Sequence, residues 1–114
     1  MEITFANKKL RKQCNESKAM IKAHGTQRSH KLKIVLVSLR AAPNFGIFAP
    51  PYSPPHRCHE LTGNMKGLIS LDLDHPCRLI IKPVNDPKPE RPEGGLDWKK
   101  VTAIEIQGVE NTHG

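Results

Sequence analysis

A chain of 114 residues with 37% hydrophobic and 25% charged side chains holds the material for one domain and one core. It is too apolar for a wholly disordered chain and lacks the ~20 consecutive apolar residues of a membrane span. Its net charge of +7 is lopsided: residues 1–50 hold 10 basic and 2 acidic side chains, whereas residues 51–114 hold 8 and 9. Such a field suits a polyanion or an acidic protein as partner; a solvated helical face is the plainer alternative. Cys14, Cys58 and Cys77, odd in number and widely spaced, read as reduced structural thiols rather than a disulfide framework. The opening Met1-Glu2-Ile3-Thr4-Phe5 has no basic segment leading into an apolar one, so the cytoplasm is the expected compartment.

Ile3 and Phe5 alternate with Glu2 and Thr4 as a short strand. A helix is predicted from about Asn7, an N-cap, to Ala23, with Gly25 closing it. Leu10, Cys14, Ser17 and Ile21 form its expected inner stripe. A second helix spans about Gln27 to Ala42, with Leu32, Val35, Leu36, Leu39 and Ala42 at helical spacing. Ile34 and Val37 make it apolar on a second side, which predicts a helix lying between the first one and a sheet. Five prolines between Pro43 and Pro55 exclude helix and central strand there. Strands are expected at Arg57–Leu61, Gly67–Leu73, Cys77–Lys82 and Val101–Val109, joined by a Gly63-Asn64 turn, an Asp74-His75-Pro76 turn and a proline-rich connector, Pro83 to Gly95. Helices before short antiparallel strands give a single α+β domain over residues 1–114.

No phosphate-cradling glycine loop, nucleophile elbow or His-Glu-x-x-His motif is present, and the five aromatics are scattered. What remains is a set of basic and imidazole side chains. Strand alternation places Arg57 and His59 on one face, and Leu79 and Ile81 in the core turn Arg78 and Lys82 outward. If Arg57, His59, Arg78 and His113 converge, they make a cationic pocket with two groups that titrate near neutrality. Metal-free RNA cleavage needs such a set. A base takes the ribose 2′-hydroxyl proton, cations hold charge building on the phosphate, and an acid protonates the departing 5′-oxygen. The competing structural reading makes His59 a surface strand residue, pairs Arg78 with a nearby carboxylate and leaves His113 in a tail. A zinc set from His56, Cys58, His75 and Cys77 is a further alternative, although ligands two apart in a strand diverge by about 6–7 Å.

The order Arg57-Cys58-His59-Glu60-Leu61-Thr62-Gly63, then Lys66-Gly67-Leu68-Ile69-Ser70-Leu71-Asp72-Leu73, then Cys77-Arg78-Leu79-Ile80-Ile81 resembles the sheet region of HigB-like toxins of the RelE/ParE superfamily. The lysine-rich first helix, Leu96-Asp97-Trp98 and the terminal Asn111-Thr112-His113 fit the same pattern, so the likeness covers nearly the whole chain. The resemblance implies a RelE-like fold: a short N-terminal strand and two N-terminal helices packed on one side of a curved antiparallel sheet of about four strands. It implies the toxin of a toxin–antitoxin module, a ribosome-dependent mRNA endonuclease with no metal or other cofactor. The implied partners are a HigA-type helix-turn-helix antitoxin, the ribosome and mRNA, with operator DNA reached only through the antitoxin and no membrane. By motif position, Arg57, His59, Arg78 and His113 would be catalytic, and Lys66, Lys82, Lys8, Lys9 and Lys12 would contact RNA. Thr62 stands where many active members have lysine, and Asn111-Thr112 where they have Asp-Tyr, so an ammonium and a base-stacking phenol are missing. The rival expectation is therefore a binding module without chemistry: a degenerate toxin that only binds its antitoxin and operator DNA, or a ParE-like inhibitor of a topoisomerase.

Overall fold

Asn7 starts the first helix as expected, its side-chain oxygen accepting the Leu10 N–H at 2.8 Å. In the computed structural model, which describes residues 1–111, the elements are β1 (Glu2–Phe5), α1 (Lys8–Asn15), α2 (Ser17–Ala41), β2 (His59–Glu60), β3 (Ile69–Asp72), β4 (Cys77–Pro83) and β5 (Ala103–Asn111). Pro43 stops α2, because the residue before a proline is pushed out of the helical region and Ala42 is extended. The α+β class holds, but several particulars differ from expectation.

The predicted helix from Asn7 to Ala23 is cut at Glu16, whose backbone is extended. An unbroken helix would have turned Ser17 and Ile21 inward; the break re-phases the chain so that Met20 is buried and both of those residues are exposed. Gly25, at φ +78°, makes a second kink inside α2 that a side chain would strain.

The sheet has five strands rather than about four, in the order β1-β5-β4-β3-β2, and it is mixed. β1 joins its edge parallel to β5, with Ile3 opposite Ile104, because the helices carry the chain across between them; the other pairs are antiparallel. β2 is two residues long instead of Arg57–Leu61, since Arg57 lies at φ +49°, outside strand geometry. The proline-rich stretch also contains a 3-10 turn, Phe45–Phe48, capped by the Asn44 side chain. It is anchored where the buried Phe45 meets the Trp98 ring edge-on at 4.9 Å.

Leu32, Leu36 and Leu39 of α2 pack with Ile69, Leu71, Leu79, Ile81, Ile104 and Ile106 of the sheet in one core. This half of the helical pattern was legible. The other half was not: Ile34 and Val37 face solvent, with no sheet over them.

Candidate functional site

Strand register builds the site. Leu71, Leu79 and Ile81 point into the core, so their neighbours Ser70, Asp72, Arg78 and Lys82 take the other face. Across that face run two rows: His59, Ser70, Ile80 and Gly108, and beside it Asp72, Arg78 and Glu110.

Asp72 ties the second row together. Its Oδ1 is 3.1 Å from Arg78 Nε and its Oδ2 is 3.4 Å from Arg57 Nε, so one carboxylate grips two guanidinium groups. Arg78 also donates from Nη1 to the Pro76 carbonyl at 3.2 Å. These contacts orient both forks through Nε, and the Nη atoms of Arg57, which is 54% exposed, have no hydrogen-bond partner among the described residues. The pairing of Arg78 with a carboxylate is also what the structural alternative had foreseen.

The first row carries a group that the sequence did not single out. Tyr52 stacks on His59, with ring centroids 4.4 Å apart and planes 14° from parallel, and Arg57 lies over the Tyr52 ring at 5.5 Å. The proline loop delivers it there: Tyr52 N–H donates to the Cys58 carbonyl at 2.9 Å and Arg57 N–H to the Ser53 carbonyl at 2.9 Å. Among the described residues, Tyr52 and Arg57 are the two non-glycine residues with positive φ, at +68° and +49°. Backbone held in that region costs roughly 1–3 kcal/mol per residue and concentrates at functional positions. His59 Nδ1 meets the Glu60 carbonyl at 3.4 Å, a contact in which the ring nitrogen must donate. The neutral imidazole then carries its lone pair on Nε2, the form a base requires. Replacing Tyr52 with alanine should release the imidazole from its stack. The His59 ring protons should move downfield in the NMR spectrum, with only a small loss of stability; unchanged ring shifts would show that the stack is not populated.

Arg57, His59 and Arg78 are thus brought together, joined by Asp72 and Tyr52. The predicted RNA-contacting lysines do not join them. Lys82 shares the face but pairs in register with Glu105, four residues along β4 from Arg78, about 13 Å. Lys66 lines a cleft with Glu60, Lys88 and Glu90, on the side where Glu60 accepts from Trp98 Nε1 at 3.2 Å. Lys8 and Lys12 line a groove along α1 with Arg11, and Lys9 is exposed on the same helix. His113 lies outside the described residues. The sheet face is also less cationic than expected, because Arg57, Arg78 and Lys82 are offset by Asp72, Glu105 and Glu110. Positive charge sits instead on the helices: α1 and α2 contain ten Lys and Arg and no Asp or Glu.

The other titratable groups stay out of this chemistry. Burial pushes the Cys14 thiol up to about 11 and the Cys58 thiol up to about 12, so both are protonated and poor nucleophiles or ligands. His56 is buried with Nε2 3.0 Å from Ser38 Oγ, and no cluster of three or more His, Cys, Asp or Glu is placed to share an ion among the described residues. Burial, with Lys31 nearby, lowers the His56 pKa below its usual 6.5; burial and Arg28 lower that of His24. Both are neutral when folded and protonate more readily when unfolded, so their contribution is present above pH 6.5 and is lost as pH falls through the lowered values. Thermal melts should show Tm falling between pH 7 and pH 5, with a shallower fall in His56→Gln; equal slopes would contradict this. The Arg28–Asp74 ion pair, 2.9 Å, holds the Asp74 carboxyl below its usual 3.8 and acts only in a more acidic range.

No helix among the described residues is long and apolar enough to cross a membrane. No protein-family model matches the chain, and no curated protein matches it.

Proposed function

We propose that this chain is a HigB-like toxin of the RelE/ParE superfamily, a ribosome-dependent mRNA endonuclease that works in the cytoplasm until a helix-turn-helix antitoxin neutralises it. The single observation that carries this reading is the convergence of Arg57, Arg78 and His59 around Asp72 and Tyr52 on one sheet face. His59 Nε2 takes the 2′-hydroxyl proton, and that oxygen attacks the adjacent phosphorus. The guanidinium Nη groups hold the charge gathering on the phosphate. The bond to the 5′-oxygen breaks, leaving a 2′,3′-cyclic phosphate. The leaving oxygen takes a proton from a second acid, His113 in this reading, assigned on sequence resemblance alone. Tyr52 offers the aromatic ring that Asn111-Thr112 does not, and the cationic helices supply the long-range pull toward ribosomal RNA.

The second reading, an antitoxin-binding or topoisomerase-directed chain without chemistry, is favoured by one specific feature. Asp72 already occupies the Nε atoms of both arginines, so a phosphate must share or displace it. Addition of purified protein to a translating extract separates the two. Cut mRNA at the ribosomal A site supports the nuclease; intact mRNA with damaged DNA supports the topoisomerase inhibitor. Asp72→Asn frees both forks, so single-stranded RNA should bind more tightly at low salt. Its salt dependence should steepen by a slope of about 0.7 for each phosphate gained. Cleavage should nonetheless drop, because the guanidinium groups lose their common anchor. Unchanged binding would mean that the arginines do not face RNA.

A further inference from the structure

The outer side of α2 is apolar where solvent calls for polar residues. Ile34 is 48% and Val37 62% exposed, and Ala41 follows one turn on. At 3.6 residues per turn, His30, Ile34, Val37 and Ala41 form one stripe opposite the buried Leu32, Val35, Leu36 and Leu39. At Ala41 the stripe runs into a groove of about 640 Å³ lined by Ser38, Ile47, Phe48, Pro54 and His56, with Ile47 itself 60% exposed. No acidic side chain among the described residues lines the groove. Helical phase sets Lys33 and Arg40 along one border of the stripe and Lys31 along the other; Arg40 also donates to Asn15 at 3.1 Å.

We propose that this stripe and groove bind an acidic amphipathic helix of another protein, its apolar side seated on Ile34, Val37 and Ile47 and its carboxylates against Lys31, Lys33 and Arg40. Charge complementarity selects the occupant. A second copy of this chain would oppose its ten-cation helical layer to itself. Nucleic acid satisfies the lysines but wastes the exposed aliphatic Ile34, Val37 and Ile47, on which no base stacks. A bilayer covers a flat helix face, whereas the proline-walled groove beside α2 is concave and accepts a cylinder. None of Tyr52, Arg57, His59, Asp72 and Arg78 lines the groove, so the proposal stands independently of RNA cleavage.

The test is fluorescence anisotropy on the full chain with a synthetic helical peptide of leucine stripe and glutamate flanks. Expected is saturable binding that weakens at least about tenfold in Val37→Asp and in Ile34→Asp, and is unchanged in His59→Ala. Both substituted positions are exposed, so circular dichroism should show the native helix content. A scrambled peptide of identical composition should bind at least about tenfold more weakly. Equal binding of the scrambled peptide, indifference to Val37→Asp, or stronger Val37-dependent binding to anionic phosphatidylserine vesicles would each overturn the proposal.

Discussion

Combining His59→Ala with Arg78→Ala should leave mRNA uncut in a translating extract and relieve growth arrest on expression. A positioned general base contributes about 10²–10⁴-fold in rate. Loss of one preorganised charge donor costs about 10²–10³-fold. The two act on one transition state, so the double variant should lose about as much as the worse single one rather than the product of both. Neither side chain belongs to the core, and Asp72 keeps Arg57 as a partner when Arg78 is gone, so the variants should fold. Cleavage measured by primer extension beside a circular dichroism melt checks both points. Undiminished cutting by a folded double variant would remove these residues from the chemistry.

The second large effect concerns stability. Phe45→Ala should cost about 3–5 kcal/mol, the usual penalty for emptying a fully buried phenylalanine site. Domains of this size hold about 5–15 kcal/mol in all, so the loss is a large share. Phe45 touches Trp98 and Phe48, and Phe48 in turn meets the His56 ring at 5.8 Å; the Phe45 backbone N–H donates to the Val101 carbonyl at 2.9 Å. These contacts fix the proline-rich segment to the sheet, and that segment carries Tyr52 to His59. Urea unfolding should therefore show a lower midpoint, and NMR the loss of the Tyr52–His59 stack. A fall in midpoint with the stack intact would mean that the loop is held by its other contacts.

The legible parts of this molecule are those set by local periodicity. Leu32, Val35, Leu36 and Leu39 announced a buried helix face, and Leu79 and Ile81 placed Arg78 on the opposite side of its strand. What failed depended on distant partners. Nothing around Glu16 forbids a longer helix; the break follows from seating Met20 in the core. Ile34 and Val37 looked like a second buried face because apolar spacing reports hydrophobicity, not what lies against it. Tyr52 was hidden among prolines, since its place on His59 depends on the path of the whole loop. Asp72 could have been found, because the same alternation that turned Arg78 outward turns Asp72 toward it.

The proposed reaction would leave a chemical signature at the cut ends. In the proposed reaction, attack by the 2′-oxygen, with Arg57 and Arg78 supplying the charge, would yield a 2′,3′-cyclic phosphate and a 5′-hydroxyl. Mapping the termini of mRNA recovered from programmed ribosomes after purified protein is added tests this most directly. Those two ends, formed in the wild-type chain and absent in His59→Ala, are the expected result. Intact message, or ends bearing a 5′-phosphate, would contradict it.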